Sequence, residues 1–469
     1  MLKIFKVFVP VSIVALLVCE AALLFGCYLL GLYLAQWLFE GRAFALSFLL
    51  DENGVLRILI VVATILLALY FNDLYDNIQV RSRIQLIQQI CLSVGIAFFG
   101  QAFMGYMVAG WIVPRYTMIL GSTLVIIVIP PFRFIYGALA LKTLGAERVL
   151  FLGSSRTLKE VARGIEDKPE LGLKIIGYLD DDTPEDDPIP GIPRLGTIKD
   201  ISDFSKLDPK LRRIVVGLTE RRNRLPTQEL LTIRLSGVRI EEATQLYEAV
   251  LGRVCTREFR PSQLIFSQEL GPRSGTEAVQ SIYCFIFAVL LIILTSPVML
   301  LVAIAVRLTS PGPVLLRQSR VGRGDKVFTV YKFRSMRADA EARTGAVWAT
   351  RNDPRITPVG RIIRRARLDE LPQFFNVLKG EMAIAGPRPE RPEFVKTLSE
   401  KIPYYRQRHC VKPGITGWAQ INYKYGDTIE DTIAKLEYDL FYIKNISISL
   451  DAYIFFHTVK TMLLSRGAQ

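Results

Sequence analysis

Histidine is nearly missing from this chain of 469 residues: only His409 and His457 are present. Acid–base or metal chemistry built on imidazole is therefore poorly supplied. Cysteine is sparse and unpatterned. Cys19, Cys27, Cys91, Cys255, Cys284 and Cys410 form no C-x-x-C pair, which argues against both a zinc site and a disulfide framework. Most of them lie in apolar runs, where a thiol behaves as a small hydrophobe. A complete dinucleotide fingerprint is also lacking. Gly153-Ser154-Ser155 follows a strand-like run, but Ser155 stands where G-x-G-x-x-G needs its second glycine for backbone to approach a pyrophosphate. Acidic charge is in deficit: the formal net charge is +14. Such a balance suits anionic partners.

What the chain has in quantity is long apolar sequence. Hydrophobic residues make up 51%, and they are concentrated in runs. Four fill the first third, at 7–39, 55–72, 85–112 and 116–141. Each is long enough to cross a hydrocarbon core of about 30 Å as a helix. The first run is too long for a signal peptide and has no clear cleavage site, so it is expected to remain as a helix. Lys3 and Lys6, Arg81 and Arg83, and the basic residues after 140 place the N-terminus, the second loop and everything after 141 in the cytoplasm. Arg42, Arg57 and Arg115 weaken that bias. With membrane segments present, phospholipid headgroups and nucleotides are the expected anionic partners, and nucleic acid is not.

From 145 the pattern becomes α/β. Arg148-Val-Leu-Phe-Leu152 is a buried-type strand, turning at Gly153 into a helix. Further strands are expected at 174–180 and 213–217, with a helix near 226–235. This alternation argues for a parallel, Rossmann-like sheet over 145–250. With its fingerprint broken, a structural or regulatory module is the favoured reading. The acidic run Asp180 to Asp187 reads as a solvated loop. Residues 251–276 read as a basic, irregular linker with Arg253, Arg257, Arg260 and Arg273.

Another apolar segment, 279–306, opens the last part of the chain. Basic residues lie on both flanks, with Arg307, Arg317, Arg320 and Arg323 following it. A single crossing cannot keep both flanks cytoplasmic. A re-entrant helix that bends at Ser296-Pro297 can: proline removes a backbone donor, and serine can satisfy a freed carbonyl.

Beyond this segment the sequence is dense in chemistry-bearing residues. Arg361-Ile-Ile-Arg364-Arg-Ala-Arg-Leu-Asp369-Glu370-Leu-Pro-Gln373 sets adjacent carboxylates beside guanidiniums. Carboxylates can hold a divalent cation and attack phosphorus, and arginines grip phosphate oxygens. Beside a membrane segment, the combination points to phosphoryl chemistry on a lipid-linked substrate. Four further blocks accompany it. They are Ser310-Pro-Gly-Pro-Val-Leu-Leu-Arg-Gln318, Val330-Tyr-Lys332-Phe-Arg334-Ser-Met336, Asn376-Val-Leu-Lys-Gly-Glu381-Met with Gly386-Pro387-Arg388-Pro389, and Lys412-Pro-Gly-Ile-Thr-Gly-Trp418-Ala-Gln-Ile-Asn422.

In that order, the five blocks resemble the bacterial sugar transferase family, the polyprenyl-phosphate glycosyl-1-phosphate transferases. The match is dense over 275–469. The four-helix start and Rossmann-like middle resemble the large, exopolysaccharide-type members. The resemblance implies a four-helix transmembrane region at 1–144, the α/β domain at 145–250, the linker, and a mainly α, monotopic transferase domain at 277–469. It implies transfer of a sugar 1-phosphate from a UDP-sugar to undecaprenyl phosphate, with Mg²⁺, at the bacterial inner membrane. Asp369 matches the family's nucleophile and Glu370 its partner carboxylate, together the expected Mg²⁺ ligands. Lys332, Arg334, Arg364, Arg388 and Gln373, with Pro387 and Pro389 fixing the backbone, are the expected phosphate and substrate contacts. Tyr438 and Asp439 are expected to be structural. A monomer and a homodimer are both open. Two rival readings are a membrane-anchored nucleotide-sugar dehydratase or epimerase and a non-catalytic scaffold. The first lacks an intact glycine fingerprint and a Tyr-x-x-x-Lys pair between 150 and 275.

Overall fold

The computed structural model describes residues 2–4, 7–40, 44–51, 53–72, 74–75, 83–108, 111–143, 147–181, 189–203, 210–218, 225–258, 274–337, 340, 353–423 and 428–463. Lys6, Arg42, Arg81, most of the 180–187 acidic run, Arg260 and Arg273 lie outside the described residues. The chain forms two compact units whose sequences meet between Leu246 and Tyr247.

In the first unit the expected apolar runs are helices, Val11–Ala35, Gly54–Phe71, Arg83–Met107 and Arg115–Thr143. The first and last approach so closely that a Cβ on Gly31 would lie 2.6 Å from the Gly121 amide nitrogen. Small residues permit such contact between membrane helices. Beside it, the Tyr28 and Ser122 hydroxyls are 2.9 Å apart. An ion pair is buried in the same bundle. The Arg133 guanidinium donates from Nε and Nη2 to the Glu20 carboxylate and from Nη1 to the Leu74 carbonyl; Tyr75 Oη also donates to Glu20. Every charge is thereby met by a partner, as apolar surroundings require.

The α/β part is a five-stranded sheet, β1 Glu147–Leu152, β2 Leu173–Leu179, β3 Arg194–Gly196, β4 Leu211–Val216 and β5 Arg239–Glu242. Their order is β3-β2-β1-β4-β5 and every pairing is parallel. The expected strands and the 226–235 helix are found within two residues, the helix as Thr227–Leu235. β3 and β5 are additional; both are too short to leave a periodic signal. Ser155 caps the helix after β1: its Oγ accepts from the Leu158 amide at 3.4 Å. That amide is one a bound phosphate would otherwise use.

The second unit begins earlier than the sequence suggested. Residues 251–258, read as loose linker, are docked on the transferase part. Glu437 is buried and accepts from Tyr247 Oη at 2.9 Å, the Thr256 amide at 3.2 Å and Thr256 Oγ1 at 3.1 Å. Its own carbonyl accepts from the Val254 amide, and Trp418 Nε1 donates to the Gly252 carbonyl at 2.7 Å. Gly252 has φ +66°, a conformation glycine adopts without cost. The strap is held by specific partners far away in sequence, which a local reading cannot see.

Helix Ser274–Thr309 then runs uninterrupted through Pro297. Pro297 cannot donate to the Ile293 carbonyl; Ser296 Oγ does so instead, at 2.9 Å. The hairpin β6 Leu315–Val321 and β7 Val327–Phe333 follows, and a short parallel pair joins β8 Ala383–Ala385 to β9 Gly414–Thr416. The last described element is the helix Ile448–Leu463. Leu450, Asp451 and Ile454 are buried within the unit, because Asp451 accepts from Gln280, Tyr283 and Tyr442.

Candidate active site

The Asp-Glu pair sits on a 3₁₀ turn, Leu368–Gln373, reached from the helix Pro358–Arg365. Arg367, immediately before the turn, has φ +52°, a conformation disfavoured for a side chain this size. Its amide donates to the Arg364 carbonyl and its carbonyl accepts from the Glu370 amide, so the tight reversal is hydrogen-bonded throughout. Asn376, fully buried in the next helix, fixes the turn to the hairpin. Its Oδ1 accepts from the Tyr331 amide at 3.1 Å, and its Nδ2 donates to the Thr329 carbonyl at 2.6 Å and to Glu381 at 2.7 Å.

The two carboxylates have different surroundings. Glu370 Oε1 accepts from Arg388 Nη2 at 2.8 Å and Lys332 Nζ at 3.3 Å, and Arg367 lies 3.8 Å from Oε2. Burial alone would raise the Glu370 carboxyl, but Arg388, Lys332 and Arg367 outweigh it and hold it well below the ordinary range. Asp369 makes no hydrogen bond or ion pair among the described residues. Burial and the neighbouring Glu370 charge raise its carboxyl to about 6, against the pull of Lys332, Arg364 and Arg388. At neutral pH it is therefore an ionised carboxylate with free lone pairs, beside a second carboxylate that is already bound. Lys332 is itself pushed below the usual lysine value by burial, partly offset by Glu370.

The expected substrate residues divide. Lys332 and Arg388 meet at Glu370, and Arg364 is close enough to act on Asp369 while forming no ion pair among the described residues. Arg334 is elsewhere committed: Nη1 donates to the Pro311 carbonyl and Nη2 to the carbonyl and hydroxyl of Ser310. It is buried and holds the turn after the membrane helix. Gln373 is buried, and its Nε2 has no partner among the described residues. Pro387-Arg388-Pro389 is pinned at three successive carbonyls, which accept from the Gly414 amide, Arg408 Nη2 and Arg320 Nη1, each at 3.0 Å. The two prolines fix φ, so the Arg388 side chain leaves from an immobile backbone.

Three supporting groups were not assigned from sequence. Arg408 is buried 2.8 Å from Asp439. Burial raises the Asp439 carboxyl to about 6, opposed by Arg408. Arg320 pairs with Glu390 at 3.5 Å. Asn376 was seen only as part of a block. Nothing in composition separates these from surface residues; only their partners do.

An acidic pair ringed by cations stands in a chain that has, among the described residues, five helices long and apolar enough to cross a membrane; the class is a membrane protein. The comparisons agree. Residues 276–465 match the family model for bacterial sugar transferase, and residues 70–208 match that for a CoA-binding domain. UDP-glucose:undecaprenyl-phosphate glucose-1-phosphate transferase of Xanthomonas campestris pv. campestris is 33% identical over 338 residues, covering 70% of this chain and 69% of that one. UDP-N-acetylgalactosamine-undecaprenyl-phosphate N-acetylgalactosaminephosphotransferase of Aeromonas hydrophila is 43% identical over 242 residues, 50% of this chain and 55% of that protein. Undecaprenyl-phosphate glucose phosphotransferase of Komagataeibacter xylinus is 33% identical over 332 residues, 69% and 60% respectively. The chain thus spans less than two thirds of the length of the last two. It belongs to the bacterial sugar transferase family.

Proposed function

We propose that this chain transfers a sugar 1-phosphate from a UDP-sugar to undecaprenyl phosphate, giving undecaprenyl-diphosphate-sugar and UMP, as the first step of an exopolysaccharide or capsule repeat unit. The observation that carries this is the division of labour between the carboxylates: Glu370 is held through Oε1 by Arg388 and Lys332, and Asp369 is uncommitted among the described residues. A nucleophile needs a free lone pair, and a cation-bound neighbour keeps the site's charge balanced.

In the first step, an Asp369 oxygen attacks the sugar-bearing phosphorus. The bond from that phosphorus to the bridging oxygen breaks, UMP leaves, and a phosphosugar-aspartyl ester forms. A phosphate oxygen of the lipid then attacks the same phosphorus and releases Asp369. Arg364, Lys332 and Arg388 neutralise charge on the phosphoryl oxygens in both steps. Arg334 has no part in this; its hydrogen bonds belong to the Ser310-Pro311 turn.

No group of three or more His, Cys, Asp or Glu placed to hold a metal ion occurs among the described residues. Mg²⁺ needs no such cage: it is commonly held by one or two carboxylates with substrate phosphates and water. Asp369 and the less-occupied Oε2 of Glu370 fit that pattern. When bound there, Mg²⁺ would neutralise diphosphate charge.

The reading places the enzyme in the inner membrane with its transferase unit in the cytoplasm. It retains the four-helix region at 1–144 and the α/β domain from 145, and starts the transferase unit near 247. The helix 274–309 is assigned a re-entrant path. Supporting this, its Cys284 and Ala288 pack with Phe374 and Val377, and its Val302 and Val306 pack with Phe333 and Ile363. Leu371 touches both groups. Both halves of the helix thus pack against the same folded unit. Every named catalytic group lies in one chain, so a monomer or a homodimer would serve.

The test is UMP release across a panel of UDP-sugars with undecaprenyl phosphate. Absence of UMP with every donor would revive the scaffold reading. Cysteine labelling beside 275 and 310 tests the path; labelling from opposite faces would establish a crossing helix.

A further inference from the structure

A second cationic recess lies in the transferase unit, between the first third of the 274–309 helix and the turn around Gly380. It has a volume of about 220 Å³ and is lined by Ser281, Cys284, Phe285, Lys379, Met382 and Lys412, among others. Its polar pole is the Lys412 ammonium. Among the described residues one of that group's three N–H bonds is used, donating to Ser281 Oγ at 2.9 Å. Ser281 spends its own proton on the Glu277 carbonyl, so its hydroxyl can only accept from Lys412. No carboxylate among the described residues pairs with Lys412. Lys379 adds positive field; its ammonium donates to Tyr331 Oη at 2.7 Å. Glu381, the nearby acid, is taken by Asn376 Nδ2.

The other wall of the recess is unlike a nucleotide pocket. On the same helix, Ile282 is 63% exposed, Phe285 51% and Ile286 63%, in a segment of mean hydropathy 2.9. Such a face belongs in hydrocarbon. Glu277, one turn earlier, is ion-paired to Arg323 and belongs in the headgroup region. The five residues from Glu277 to Ile282 span about 7 Å of helix, close to the depth of one headgroup layer. Ser281 and Lys412 therefore stand at the level where lipid phosphates lie.

We propose that this recess binds the phosphate of an anionic membrane phospholipid, with Lys412 as its counter-ion and the acyl chains running along Phe285 and its exposed neighbours. The charge complementarity and the depth of the cation choose this occupant. The proposal rests on the membrane placement of the 274–309 helix and not on the transfer reaction.

The experiment uses the purified full chain and native mass spectrometry, counting phosphatidylglycerol retained against phosphatidylcholine. The native chain should retain phosphatidylglycerol preferentially. Lys412→Gln should weaken that retention about tenfold, the loss of one charge-assisted hydrogen bond, and Lys412→Arg should keep it. Ser281→Asp supplies Lys412 with an internal anion and should cause a similar loss, which keeps the idea testable if Lys412→Gln does not fold. Unchanged phosphatidylglycerol retention in folded Lys412→Gln or Ser281→Asp would overturn the proposal. So would its displacement by millimolar inorganic phosphate, which would mark a site for free anions. A loss confined to undecaprenyl phosphate would assign the recess to the acceptor instead and equally overturn it.

Discussion

Truncation offers the sharpest test of where the transferase unit begins. All the phosphate-handling blocks lie after 275, so a fragment starting near 265 should hold every ligand; structurally it lacks the 247–256 strap. In the full chain Glu437 is 3% exposed and is met by Tyr247 Oη, the amide and hydroxyl of Thr256, and Arg253 at 3.6 Å. Glu437→Ala strips these donors of their acceptor. Tyr247 is 2% exposed, so water cannot replace the lost bond. An orphaned buried donor costs roughly 1–3 kcal/mol, and breaking a buried charged cluster roughly 3–5 kcal/mol. About 4 kcal/mol is the expected loss, or about 10 °C in melting temperature for a unit of this size. In a 265–469 fragment the partners are absent and the carboxylate is hydrated, so the same substitution should cost less than about 1 kcal/mol. Thermal unfolding of both proteins in one detergent, with and without Glu437→Ala, measures the difference. Equal shifts in the full chain and the fragment would refute the reasoning. A 243–469 fragment that folds where 265–469 does not would support it.

Other outcomes follow from the site and the bundle. Asp369→Asn should lower turnover at least about 10³-fold with the fold intact; near-normal UMP release would refute the covalent route. Asp369 also links activity to stability through pH. Its carboxyl is raised from 3.8 to about 6, so between these values the folded chain binds more protons than the unfolded one. Stability should therefore fall, and activity rise, as pH increases through about 6; metal-free unfolding and UMP release measured from pH 4 to 8 should show opposite slopes, and Asp369→Asn should flatten the first. Arg334→Met should reduce stability, by orphaning the Ser310 and Pro311 carbonyls, while leaving KM for the UDP-sugar within about twofold; a large KM change would return Arg334 to the substrate. Arg133→Met leaves Glu20 charged among apolar helices with the Tyr75 hydroxyl but no counter-ion, and should cost roughly 3–5 kcal/mol, read as lost yield and melting temperature; Glu20→Leu with it should restore most of that.

What could be seen in the sequence was whatever repeats locally or carries rare chemistry. The apolar runs, the β1 strand and its Ser155 turn, and the Asp369-Glu370 pair all announce themselves within a few residues. What could not be seen depends on partners far apart. Glu20 looks like a lone acid in an apolar run until Arg133, 113 positions away, is found against it. Lys332 and Arg334 are two residues apart and the same in charge, yet one faces Glu370 and the other faces the Ser310 carbonyl. The linker looked loose because glycine, arginine and threonine are ordinary loop residues; Glu437 and Trp418 decide otherwise.

Leu371 stands two positions from Asp369 and packs against two clusters that hold helix residues from either side of Pro297. Asp369, the proposed nucleophile, is thereby tied through packing to the helix proposed to set its depth. Its height above the lipid phosphate plane is a property of the bilayer as much as of the protein. A thicker or thinner membrane moves the apolar helix, and hydrophobic mismatch costs only fractions of a kcal/mol per ångström. The nucleophile would move with it, while the phosphate of the acceptor stays with its own leaflet. Membrane thickness then acts as a mechanical setting on catalysis, with one optimum and a decline on either side.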